Sequence, residues 1–128
     1  MSYKLNGLDI TVSRLDTFAI PFVFPNHILL GSEKVMFTVR AVPEMRDRRK
    51  EETLGRVLFQ LEISATDTTA VQDVEGNVVG CQFFVTANRE QSALIPYGHH
   101  LYDMALIGED VEKALIEPHA FKVVEVLR

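Results

Sequence analysis

The sequence predicts an all-β fold, an antiparallel sandwich or barrel of about seven to nine short strands. Three observations predict it. Apolar residues recur at every second position along most of the chain, the period of a strand with one buried face. Turn-forming Gly, Asn, Asp and Pro punctuate these runs every 8–12 residues or so. Finally, no apolar stripe at helical spacing extends beyond two turns.

Taken in order, Leu8, Ile10 and Val12 alternate with Asp9, Thr11 and Ser13 in the first strand. Phe18, Ile20, Phe22 and Phe24 continue the period. Pro21 lies on the other face and lacks an amide donor, which places this strand at a sheet edge or in a bulge. Val35, Phe37, Val39 and Ala41 form a third strand, with Met36, Thr38 and Arg40 facing away; Val57, Phe59, Leu61 and Ile63 form a fourth. A hairpin spans Val71 to Val85 and turns at Glu75-Gly76-Asn77, where Gly and Asn tolerate positive φ. Val79, Cys81, Phe83 and Val85 share one side of its second arm. Tyr102, Met104 and Leu106 mark the next strand, which turns at Gly108-Glu109-Asp110 into a shorter one from Val111 to Ile116. Pro118 is expected to break that strand before a last one from Phe121 to Leu127. Glu44 to Glu52 mixes both charge signs with almost no apolar face and reads as a solvated contact loop.

Hydrophobic residues, at 47% of 128, suffice for one core, so residues 1–128 read as a single domain. A net charge of -5 argues against nucleic-acid binding, which needs a clustered positive field. Arg46, Arg48, Arg49 and Lys50 do cluster, but Asp47, Glu51 and Glu52 largely cancel them within about one Debye length. They are candidate partner contacts instead. One cysteine permits no intrachain disulfide. The first residues lack the apolar run of a signal peptide, and no stretch approaches the roughly 18 apolar residues that span a membrane. The expected product is soluble and cytoplasmic.

Nothing in the sequence selects an active site. His99 and His100 are adjacent on a strand entrance and point to opposite faces, while His27 and His119 follow Pro-containing loops, so all four read as surface histidines rather than one metal site. Cys81 alternates with Phe83 and Val85 and reads as a small buried hydrophobe. No nucleophile elbow or phosphate-cradling glycine loop is present. Glu62 and Asp103 would be the carboxylate pair of a glycosidase, yet no pattern selects them. Asp103 reads as half of a cross-strand pair with Lys122 or Arg40; a buried role fixing the Tyr97 turn is the alternative. No catalysis, cofactor, metal or small-molecule substrate is expected.

Two segments carry a family resemblance. Asp9-Ile10-Thr11-Val12-Ser13-Arg14-Leu15-Asp16-Thr17 is one. Ile95-Pro96-Tyr97-Gly98, Leu101-Tyr102-Asp103-Met104, Phe121 and Glu125-Val126 make the other. Together they resemble the ends of the N-terminal domain of phage baseplate upper proteins and related tail or fibre modules. The family's signature positions fall here on Arg14, Asp16, Thr17, Pro96, Tyr97, Gly98, Tyr102, Asp103 and Phe121. Leu15 stands where the family usually has a turn glycine, so this turn must take another geometry or tolerate strain. Leu101 stands where an aromatic is common.

The resemblance implies an immunoglobulin-like antiparallel sandwich and a non-enzymatic structural role as a tail or baseplate adaptor. It further implies tail or baseplate subunits as partners, homo-oligomers among them, with the chain made in the bacterial cytoplasm and carried in the virion if phage-encoded. Met36, Leu58, Phe84 and Ile107, apolar and outward on the strand pattern, are the expected contact residues together with the arginines of the charged loop. The alternative is a carbohydrate- or protein-binding recognition module, although a chain without tryptophan and with three tyrosines offers few stacking platforms.

Overall fold

A computed structural model describes residues 3–25, 29, 32–42, 55–109 and 112–125. The fold is an all-β sandwich. Its strands are β1 (Tyr3–Asn6), β2 (Asp9–Ser13), β3 (Phe18–Pro25), β4 (Lys34–Ala41), β5 (Val57–Ser64), β6 (Thr69–Gln72), β7 (Val78–Ala87), β8 (Gly98–Ile107) and β9 (Glu112–Val124). A 3-10 turn, Ala65–Asp67, precedes β6, and a one-turn helix α1, Arg89–Ser92, precedes β8. Six strands form one sheet in the order β1-β2-β9-β8-β4-β5, and three form the other, β3-β7-β6. From β3 onward this is the strand order of a variable-type immunoglobulin domain, B-E-D facing G-F-C-C′.

Alternation builds the core. Ile10, Val12, Val35, Phe37, Val39, Phe59, Ile63, Tyr102, Met104, Phe121 and Val123 project inward from the larger sheet. Phe18, Ile20, Phe83, Val85 and Ala87 meet them from the smaller one. Phe18 and Phe121 touch across the sandwich with ring centroids 6.1 Å apart. Phe37 sits at the centre, within 6.3 Å of the rings of Phe59 and Phe121 and 5.3 Å of Tyr102. Aromatic pairs at such spacing contribute roughly 0.5–1.5 kcal/mol each beyond their buried area. At Gly55, beside the end of β4, any Cβ would collide with the carbonyl oxygen of Ala41.

The strands read from β2 to β8 are present, and β3, with Pro21, ends its sheet as its missing donor requires. The hairpin turns at Gly76, whose φ of 88° needs a residue without Cβ, and Asp73 Oδ1 accepts from the amides of Glu75 and Asn77. Three features differ from the sequence expectation. First, β1 is an additional strand; with no fully buried position it leaves no alternating signal. Second, β2 runs parallel to β9, so the larger sheet is mixed rather than wholly antiparallel. Third, β9 is continuous through Pro118. Its register against β8 slips between Tyr102–His119 and Met104–Ile116, so Glu117 and Pro118 form a bulge. β2 pairs with β9 only from Phe121 onward, so no ladder on that side needs a proline N–H.

Candidate functional site

Two turns meet at one pole of the sandwich. β2 ends at Ser13, and Arg14 N donates to Val124 O at 2.8 Å, tying the first turn to β9. Leu15 then takes φ 65°, the left-handed region, which costs a residue with a Cβ roughly 1–2 kcal/mol. Of the two expectations for this turn, another geometry or tolerated strain, the backbone takes the strained one. Its side chain is not buried in return; it is 38% exposed.

The second turn is built from α1 onward. Asn88 caps α1, its Oδ1 accepting from Gln91 N at 2.8 Å while Gln91 Oε1 accepts from Asn88 N at 2.9 Å. From this fixed turn Arg89 Nε donates to Leu15 O at 3.1 Å. Ile95 anchors the following loop in the core, and Pro96 O accepts from His100 Nε2 at 2.7 Å. A carbonyl can only accept, so Nε2 carries the hydrogen there. Gly98, at φ 115°, admits the chain to β8. Tyr97 is left outside, about half exposed, with the Arg14 guanidinium 4.4 Å above its ring centroid. Leu94 beside it is 57% exposed.

The structure thus gathers Arg14, Asp16, Thr17, Pro96, Tyr97 and Gly98 at one pole, although more than 75 residues separate the two turns in sequence. The other signature residues lie elsewhere. Tyr102 and Phe121 are wholly buried in the core. Tyr102 Oη donates to Leu8 O, and burial, with the nearby Asp9 charge, pushes its pKa up to about 12. Asp103 lies on the outer face of the larger sheet, 3.4 Å from Arg40 Nε, so Arg40 is the cross-strand partner and the Tyr97 turn does not use Asp103. Glu62 pairs with Lys34 on β4, and β4 separates the Glu62 strand, β5, from the β8 strand of Asp103.

The expected contact residues divide. Met36 and Ile107 are half-buried on the outer face of the larger sheet, whereas Phe84 is 52% exposed on the outer face of the smaller one, opposite Pro21. Leu58, next to a register shift in β5, packs against the core rather than facing outward. Arg46, Arg48, Arg49, His27 and the charged stretch from Glu44 to Glu52 lie outside the described residues. His100 is a correction: it is buried, on the same inward face as Tyr102 and Met104, a parity visible in the sequence. His119 lies within β9, its Nδ1 3.6 Å from Asp9 Oδ1. Among the described residues no three His, Cys, Asp or Glu side chains converge as metal ligands. Cys81 is fully buried, and that burial pushes its thiol pKa up, away from thiolate chemistry. No described helix is long and apolar enough to cross a membrane.

Comparison with known proteins returns no matching family model, no similar curated protein and no similar solved structure.

Proposed function

We propose that this protein is a non-enzymatic docking module, an adaptor within a phage or prophage tail or baseplate. One observation carries the docking reading. Leu15, Leu94 and Tyr97 are exposed together at one pole, on two turns cross-linked by Arg14 and Arg89, and Leu15 holds a strained backbone without burying its side chain. Backbone strain persists where the surroundings enforce it, and it concentrates at functional sites. Exposed tyrosine and arginine on a fixed scaffold are the usual anchors of a protein interface, and the leucines beside them add apolar area.

The tail assignment is supported by the resemblance alone, whose two segments are the ones that meet at this pole. The test is incorporation into particles. In a strain encoding the chain, particles released on prophage induction should contain it, and Leu94→Asp with Tyr97→Asp should remove it while leaving circular dichroism and melting unchanged. Absence from particles, together with a strict monomer at high concentration, would overturn the reading.

A further inference from the structure

The sheet edges are guarded unequally. β1 and β6 are four residues long, and β3 carries Pro21 and Pro25. Short strands and prolines keep an edge from pairing with other chains. β5 is also an edge, guarded by a register shift at Leu58 and by the charge of Glu62, yet it runs in regular register from Phe59 to Ser64 without proline, lysine or arginine. Among the described residues no strand pairs with its outer side. β7 has a matching gap: β6 covers it only as far as Gln82, so residues 83–87 are paired, among the described residues, on the β3 side alone. A cavity of about 320 Å³ lies here, lined by Leu61, Glu62, Ile63, Asp67, Phe84 and Thr86.

The chemistry of this gap narrows its occupant. Exposed backbone groups of an edge strand are satisfied by another strand, and alternate side chains of that strand fill the adjoining pockets. Leu61 and Phe84 offer apolar contact. Glu62 already shares its charge with Lys34, whereas among the described residues Asp67 is partnered by Ser64 alone, through the amide at 3.0 Å and the hydroxyl at 2.9 Å. Those bonds hold its carboxyl below the usual carboxylate range, so the gap keeps an ionised acid with no cation beside it among the described residues. A second copy of the chain is a poor match, since each carries a net charge of -5 and would bring its own Asp67.

We propose that β5 accepts an extended segment of another protein as an added strand, with apolar side chains against Leu61 and Phe84 and a lysine or arginine against Asp67. This extends the docking reading to a surface separate from the Arg14–Tyr97 pole, and the two can fail independently. The probes are two short synthetic peptides, one alternating valine with lysine and the other valine with glutamate. Each is titrated into the isotope-labelled full chain and followed by amide chemical shifts and hydrogen exchange.

The lysine peptide should shift and protect β5 amides and bind about tenfold more tightly than the glutamate peptide. Asp67→Asn, which keeps an oxygen for Ser64, should remove that preference, while Tyr97→Ala should leave it intact. Unchanged β5 amides with both peptides, or equal affinity for the two, would overturn the proposal. So would β5 protection that grows with protein concentration in the absence of peptide, which would assign the edge to a second copy. Loss of binding in Tyr97→Ala would place the peptide at the pole and overturn it as well.

Discussion

The two ends of β2 are fixed by opposite means. At its start the fastening is turned inward: Tyr102 Oη holds the Leu8 carbonyl, and Asp9 Oδ1 accepts from Ala120 N at 3.2 Å with His119 alongside. At its end the chain enters an exposed turn, with Leu15 strained and Arg14 laid over Tyr97. The first arrangement serves stability, because the buried Tyr102 hydroxyl finds its acceptor in the Leu8 carbonyl. The second gives up stability to keep an apolar side chain in solvent. Residues at the start of β2 therefore serve the fold, and on the proposed docking reading residues at its end serve what the fold presents.

Substitutions can break this contrast in order of effect. Tyr102→Ala should cost about 3–5 kcal/mol in denaturant unfolding, the range for removing a buried aromatic. Tyr102→Phe keeps the ring but removes the donor to Leu8 O, and should cost about 0.5–1.5 kcal/mol.

The same phenol gives a pH signature. Burial, reinforced by Asp9, raises its folded pKa to about 12. The folded state therefore holds the proton after the unfolded chain, near 10, has released it. Its contribution is unaffected below about pH 10 and is lost as pH rises toward 12. Wild type should lose stability relative to Tyr102→Phe across that window. Parallel curves would show that the hydroxyl is not buried.

At the other end the sign reverses. Leu15→Gly should raise stability by about 0.5–1 kcal/mol, relieved strain exceeding the added chain entropy, while weakening incorporation into particles. A destabilised Leu15→Gly would mean that the leucine side chain serves the fold. The smallest effect belongs to Arg14→Ala, which should cost under about 1 kcal/mol for an exposed cation–π contact but should loosen Tyr97, seen as sharper, more averaged ring signals in NMR.

What the sequence disclosed follows the range of the forces involved. Period-two alternation is local, and it marked Ile10 and Val12, Phe37 and Val39, and Tyr102 and Met104 correctly as inward pairs. It could not mark β1, which has no buried position, or the parallel β2–β9 ladder, which joins segments about 110 residues apart. Pro118 misled because a proline stops a strand only where its missing donor is needed, and the bulge removes that need. The pole was legible in halves. Leu15 stood out as a misfit in its turn, but its link to α1 and the stacking of Arg14 on Tyr97 depend on the two turns meeting in space. Likewise, alternation showed that Met36 and Phe84 face outward without showing that they lie on different sheets.

The parallel pairing of β2 with β9 has a practical meaning for anyone handling this protein. Tyr3 lies opposite Val12, and Val124 opposite Ser13, so the first and last described strands both reach the Arg14–Tyr97 pole. Bulk added beside Tyr3 or Val124 would crowd that pole. The β6–β7 hairpin tip around Gly76 points the other way, since β7 runs from there toward α1. An insertion at that tip would leave the pole uncovered.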